Sequence, residues 1–386
     1  MNNFVFENTT KVYFGQGGVK EYLESLLANY GPNVLLAYGG GSIKRNGVYE
    51  EVTDILHRAD KNIVEFSGIM SNPTYAKVQE GAKLAKENHV DLILAVGGGS
   101  VSDCCKVVSA QAMLDEDLWD FENTKHERPS KFIPLGTIVT VFGTGSEMNN
   151  GAVITHEDKK IKGALWGAQA DFAFLDPNYS MSVPFKQVIS GAFDTLSHAM
   201  ETYFGKPDEN NLSDDINEAV MRSTIRNIRV LLTDHNNYAT RSELAWASAM
   251  AENSILKIGK VTDFQCHMLE HQLGAYTNCN HGAGLAVLHP VLYRHICEAD
   301  VARFARFAVN VWGIDPTGKT EVELAHAGVE ALAAFIKEIG LPTTFAELGI
   351  PADTDLAAVA KSTVRTGGCC KKLTDDELLE ILNECR

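Results

Sequence analysis

No apolar run in the chain approaches the ~18 residues of a membrane-spanning helix, so no membrane span is expected. The opening Met1-Asn-Asn-Phe-Val-Phe-Glu-Asn has neither a basic stretch nor a long apolar one. It does not read as a secretory signal, and a cytoplasmic location is the expectation. Positive charge is scarce: 34 Lys and Arg face 50 Asp and Glu, for a formal net charge of −16. That balance argues against nucleic acid and anionic membranes as partners. The eight cysteines contain no C-x-x-C pair, which argues against a thiolate zinc site. They are too few in 386 residues for a disulfide scaffold, and reduced thiols are expected. Low-complexity tracts and short-period repeats are absent, and so is the G-x-G-x-x-G fingerprint of a standard dinucleotide-binding turn.

What is there is a globular chain, 45% apolar and long enough for two domains. Its halves differ in period. Asn33–Tyr38, Asn62–Phe66 and Asp91–Val96 read as buried strands, with further strands at Phe132–Leu135 and Phe172–Leu175. Helical segments alternate with them at Val48–Arg58, Thr74–Asn88 and from Ser100 through Met113. Such alternation implies a parallel sheet covered on both faces. Beyond Pro184 the pattern is helical, over Gln187–Phe204, Ser213–Leu232, Thr240–Leu256, Asp300–Val311, Glu321–Ile339 and Asp375–Asn383. The turn-rich Asp176–Pro184 separates the two. An α/β domain with a Rossmann-like parallel sheet is therefore expected over 1–183, and an all-α domain over 184–386.

Two Gly-Gly-Gly-Ser turns follow strands: Gly39-Gly40-Gly41-Ser42, and Gly97-Gly98-Gly99-Ser100 at the head of a helix. Glycines let a backbone approach a phosphate closely, and a helix N-terminus offers free N–H groups and a positive dipole end. A third turn, Thr137-Ile-Val-Thr140-Val-Phe-Gly143-Thr-Gly145-Ser-Glu147, adds hydroxyls. Glycines also simply make tight turns, but three such turns at successive strand ends favour a bound dinucleotide. After Tyr38 no acid appears until Glu50, while Lys44 and Arg45 follow the first turn. A ribose 2′-phosphate suits that turn, so NADP(H) is expected over NAD(H). The plain alternative is that Lys44 and Arg45 are solvated residues at a helix start.

The residues richest in chemistry are Asp194, His198, His267, His271 and His281. Asp194 and His198 are four apart and share one face of a helix. A carboxylate with imidazoles suits a divalent transition metal, and a catalytic ion keeps places open for water or substrate. His267 and His271 are also four apart, and spacing alone does not choose between them. Asp194 has plainer readings as a helix N-cap or an ion-pair partner. His57, His89, His126, His156, His235, His289, His295 and His326 read as surface or satisfied core residues.

Together these motifs resemble the iron-containing (group III) alcohol dehydrogenases, a family with the dehydroquinate synthase-like fold. Within it, the chain looks like the NADPH-dependent butanol dehydrogenases and broad aldehyde reductases. The resemblance runs nearly end to end. It starts at Phe6 and Val12-Tyr-Phe-Gly-Gln-Gly17, which is similar to the family's first hairpin. It continues through Gly97–Lys106, Gly143–Glu147 and Leu175-Asp-Pro177 to both histidine segments. It implies aldehyde–alcohol interconversion by hydride transfer with NADP(H), on a small-molecule substrate, in a homodimer. It implies Asp194, His198, His267 and His281 as ligands of Fe(II) or Zn(II). His271 then stands close to the nicotinamide as a catalytic proton carrier, and Asp103 stands by the nicotinamide ribose. Asn72, Thr137, Thr140 and Lys162 match positions that touch the cofactor, beside the turns Gly39–Ser42 and Gly98–Ser100. One departure is Thr366-Gly-Gly-Cys-Cys-Lys-Lys, where the family usually has glycine, an aromatic and proline. The rival readings are another enzyme of this fold, such as a glycerol dehydrogenase, and a non-catalytic metal- or nucleotide-binding protein.

Overall fold

The computed structural model describes residues 2–207 and 211–386. Met1, with which the α/β domain was expected to begin, and 208–210 in the helical half lie outside them. The chain forms two compact units, one over Glu7–Pro184 and one over Phe185–Arg386 joined by the residues up to Phe6. In the second unit, the Asn2 amide donates to the Gly259 carbonyl at 3.0 Å.

The first unit is built on strands β1 (Lys11–Phe14), β2 (Asn33–Tyr38), β3 (Asn62–Phe66), β4 (Leu92–Gly97), β5 (Leu135–Val139) and β8 (Phe172–Leu175), with β6 (Gly151–His156) and β7 (Ile161–Trp166) apart from them. The six make one parallel sheet in the order β1-β8-β5-β4-β2-β3. Helices on both faces complete two apolar layers. One layer holds Leu35, Ala37, Ile93 and Val107; the other holds Val34, Leu36, Leu92 and Leu94. Alternate residues of β2 and β4 thus serve opposite layers, which explains their unbroken apolar runs.

Strand order carries the functional consequence. From β2 the chain moves outward to β3; from β4 it moves the other way, to β5. The sheet reverses direction between β2 and β4, which are hydrogen-bonded neighbours with Tyr38 opposite Val96. Both Gly-Gly-Gly-Ser turns leave the carboxyl ends of these two strands, at the switch point where ligands of open α/β sheets bind.

Three expectations differ from the structure. Lys11–Phe14 is a parallel edge strand beside β8 and not half of a hairpin. The strand expected over Phe132–Leu135 runs over Leu135–Val139; its glycine and threonine diluted the apolar signal, while Pro134 has no N–H to offer a ladder. The antiparallel ribbon β6–β7 was not anticipated, because glycines and polar residues interrupt the apolar pattern of its half-buried strands.

In the second unit the principal helices are Phe185–Tyr203, Leu212–Thr233, Tyr238–Glu252, Gln265–Thr277, His281–Ile296, Val301–Asn310, Glu321–Glu338 and Asp375–Glu384. They share a core around Leu196, Tyr203, Leu269, Leu288, Phe304 and Phe335. No helix among the described residues is long and apolar enough to cross a membrane.

Candidate metal centre and glycine turns

Three helices supply the histidine cluster. Phe185–Tyr203 carries Asp194, His198 and Glu201, spaced i, i+4 and i+7 and therefore on one face. All three are buried. Asp194 lies in mid-helix, which removes its reading as an N-cap. Gln265–Thr277 carries His267, Glu270 and His271. His281 opens the helix His281–Ile296, whose N-cap Asn280 accepts from the Ala283 amide at 3.0 Å and from Ser190 Oγ at 2.5 Å. Gly282 lets this helix close in: a Cβ there would lie 2.2 Å from the Ser190 carbonyl oxygen. A larger residue would push His281 away from Asp194.

The donors converge. Asp194 Oδ1 lies 3.5 Å from His267 Nε2, 3.5 Å from His281 Nε2 and 3.7 Å from His198 Nδ1. Metal–ligand bonds of ~2.0–2.1 Å at tetrahedral angles set neighbouring donors ~3.4 Å apart. Asp194, His267 and His281 form one group with metal-ligand spacing. His198 stands beside it, its ring stacked on that of His267 at 4.5 Å. His271 falls into a second group, with Glu270 and His281. Its ring lies 5.9 Å from that of His267 and 5.3 Å from that of His281.

Asp194 Oδ1, His198 Nδ1 and His267 Nε2 are buried and make no hydrogen bond. Buried polar atoms without partners are rare and costly. Three aimed at one another fit a cation, and a metal satisfies them together. Electrostatics agree. Burial works against charge on Asp194, yet the surrounding histidines hold its carboxyl well below the usual carboxylate range. Burial pulls the His267 ring down, but Glu201 and Asp194 outweigh it and push its pKa up to about 10. At His198 burial outweighs Asp194 and Glu252, and its pKa falls. Without a metal, His267 therefore holds a proton that an ion must displace.

Two carboxylates in this cluster escaped the sequence reading. Glu201 accepts from the Cys266 amide at 2.7 Å, from the His267 amide at 3.1 Å and from His267 Nδ1. Glu270 accepts from His281 Nδ1, and the Cys279 thiol donates to its other oxygen at 3.7 Å. The only linear signal was spacing: Glu201 is three past His198, and Glu270 three past His267. His289, read as a surface or satisfied core residue, is buried with Nε2 2.6 Å from Ser197 Oγ, while its Nδ1 makes no hydrogen bond.

In the α/β unit, Gly39–Ser42 turns directly after β2, with Gly41 in the left-handed region at φ 89°. The second turn is shorter than expected, because the helix Gly99–Ala112 already begins at Gly99. Thr144 roofs it: a Cβ on Gly99 would lie 2.2 Å from Thr144 Oγ1. Thr144 was not singled out from sequence. Ser100 Oγ donates to the Ser71 carbonyl, tying the loop that holds Asn72 to this helix start. Thr140 follows the end of β5, and its amide donates to the Gly97 carbonyl at 2.8 Å. Thr137 differs from expectation. It sits inside β5 opposite Ala95, fully buried and away from the turn, because the strand starts later than the sequence suggested.

Asp103 is hydrogen-bonded within the α/β unit. Its Oδ1 accepts from Ser146 Oγ at 2.5 Å and its Oδ2 from the Val153 amide at 2.9 Å. Both oxygens thus hold the Gly143–Glu147 turn and β6. Lys106, fully buried, donates to Asn149 Oδ1 at 2.9 Å and to the Gly151 carbonyl at 2.7 Å. Lys162 is buried in β7 opposite Thr155.

Lys44 is exposed, but two aromatic rings place its ammonium. Its Nζ lies 5.0 Å from the ring centre of Tyr38 and 4.3 Å from that of Tyr49. Both tyrosine hydroxyls donate to Glu65 on β3, that of Tyr38 at 2.6 Å. An acid does therefore approach the first turn, from a strand distant in sequence.

Comparison with known proteins was made against this geometry. Residues 9–177 match the family described as Iron-containing alcohol dehydrogenase, and residues 188–385 match the Fe-containing alcohol dehydrogenase family, C-terminal. A probable NADH-dependent butanol dehydrogenase of Bacillus subtilis is 38% identical, with 99% of each chain covered. An NADPH-dependent aldehyde reductase of Escherichia coli is 33% identical over 94% of this chain and 93% of its own. The crystal structure of an NADH-dependent butanol dehydrogenase A from Thermotoga maritima superposes with a TM-score of 0.93 at 34% identity, covering 100% of this chain and 99% of that one.

Proposed function

Because the chain belongs to the iron-containing alcohol dehydrogenase family, we propose that it interconverts aldehydes and primary alcohols, such as butanal and butanol, at a metal held by Asp194, His198, His267 and His281. The chain is an NAD(P)-dependent oxidoreductase of the alcohol dehydrogenase type. The observation that carries the site is the convergence of buried donors without hydrogen bonds around Asp194 Oδ1.

Fe(II) or Zn(II) bound there supplies Lewis acidity toward the substrate oxygen. A bound nicotinamide supplies the hydride, which no side chain can donate. The protein's part is to hold and orient. The ionised Asp194 carboxylate balances the charge that the donor set attracts. The buried helix faces around it exclude water, which strengthens each polar contact made there. The proton that the product oxygen takes up in aldehyde reduction is assigned to His271, buried beside the donor histidines.

NADP(H) is the proposed cofactor, in preference to NAD(H). Gly39–Ser42 offers backbone N–H groups and a hydroxyl, and Lys44 adds a cation two residues on. Glu65 already accepts a tyrosine hydroxyl on each of its oxygens, which ties it to Tyr38 and Tyr49. A homodimer in the cytoplasm completes the reading. The test follows NADPH absorbance with butanal, before and after chelation and after each metal is restored under anaerobic conditions. Turnover unchanged in protein shown to be metal-free would remove the metal from the reaction. A kcat/KM higher with NADH than with NADPH would overturn the cofactor preference.

A further inference from the structure

We propose that Glu201 and Glu270, neither of them in the donor set, are positioning residues that govern how tightly the metal is held. They do so by fixing which nitrogen of His267 and of His281 faces the ion. This rests on the metal reading above. An ionised carboxylate only accepts hydrogen bonds, so the ring nitrogen it touches must carry the proton. Glu201 touches His267 Nδ1, and Glu270 touches His281 Nδ1. In each ring Nε2 is left as the nitrogen for coordination, and in each ring Nε2 lies 3.5 Å from Asp194 Oδ1. Histidine ligands of metals commonly depend on such a partner for tautomer, orientation and basicity.

The two carboxylates are themselves held. Glu201 receives two backbone amides from the start of the helix Gln265–Thr277. That helix has no side-chain cap of its own, since its N-cap is Phe264 at φ 60°. The positive end of the helix favours the charge that Glu201 brings. Glu270 is fully buried, and Gly284 makes room for it: a Cβ there would lie 3.0 Å from Glu270 Cγ. The arrangement passes from helix to helix. The helix with Asp194 and His198 lends Glu201 to His267; the helix with His267 lends Glu270 to His281. Each ring is thereby oriented by the helix that supplies the preceding donors.

A purely structural role as a helix cap is the competing account, and metal affinity separates the two. Full-length Glu201→Leu, Glu201→Gln, Glu270→Leu and Glu270→Gln are stripped of metal, checked for helix content by circular dichroism, and titrated with Zn²⁺ against a chromophoric chelator. The leucine variants are expected to bind Zn²⁺ about 10–100-fold more weakly. The glutamines, whose amide oxygen still accepts from Nδ1, should recover most of that loss. Zn²⁺ affinity unchanged in folded Glu201→Leu and Glu270→Leu overturns the proposal, even if thermal stability falls. Should Glu201→Leu fail to fold, the Glu270 pair decides alone, since Glu270 lies within its own helix and Asn280 is the N-cap of the helix that His281 opens. His267→Ala runs alongside: if it too keeps full affinity, the ligand assignment has failed, not the positioning role.

Discussion

The candidate metal centre and the glycine turns are built in opposite ways. In the helical unit, side chains make the candidate site: carboxylates and imidazoles from three helices, most of them buried, with lone pairs aimed inward at real cost. In the α/β unit, the backbone makes it: two glycine turns leave neighbouring strands at the point where the sheet reverses direction. A side-chain site fails when one donor is removed. A backbone site is altered chiefly by what is added to it.

Removing donors should give the largest effects. His267→Ala and His281→Ala are expected to abolish turnover and strip the metal, seen as metal content per chain alongside kcat. His271→Ala should keep its metal and lose rate. Metal loss in that variant would exchange the roles of His267 and His271.

The next effect is with pH. His267, pushed up to about 10, must surrender a proton when an ion binds. His198, lowered by burial, is already neutral near pH 7. Metal affinity should therefore rise with pH from neutral toward that value, by about tenfold per unit for one displaced proton. Zn²⁺ titrations at stepped pH check the slope; a flat profile would mean that no proton leaves His267.

Addition to the glycine turn should act more gently. Nothing lies within 4 Å of a Cβ placed on Gly40, whereas one on Gly39 would approach the Ile69 carbonyl at 3.1 Å. Gly40→Asp is thus the cleaner change. It should move the NADPH-to-NADH ratio of kcat/KM toward NADH by about 1–3 kcal/mol, through repulsion of a 2′-phosphate and a gained ribose contact. Smallest of all, Lys44→Met should lower the same ratio only a few-fold, because the exposed lysine adds charge beside a turn that the backbone already forms. An effect of Lys44→Met on NADH as large as on NADPH would make the lysine structural.

Much of this was legible in the linear order, and for physical reasons. Periodicity marked β2, β3 and the long helices because burial on one or both faces imposes it. The i, i+4 spacing of Asp194 and His198 announced a shared helix face before any fold was known. Boundaries failed where apolar residues thin out, as at β5, and that shift carried Thr137 from the expected turn into the sheet. Composition and spacing marked the α/β-then-helical division, the glycine turns and the group of Asp194, His198, His267, His271 and His281 without choosing between His267 and His271, because each of these is a local property of the chain. Only the tertiary structure brought Glu65 to Tyr38 and Tyr49, Thr144 over Gly99, and Glu201 and Glu270 against the donor histidines. Those pairings join segments far apart in the chain or on separate helices, and no local pattern marks them: they exist because packed strands and helices bring distant side chains within hydrogen-bonding reach.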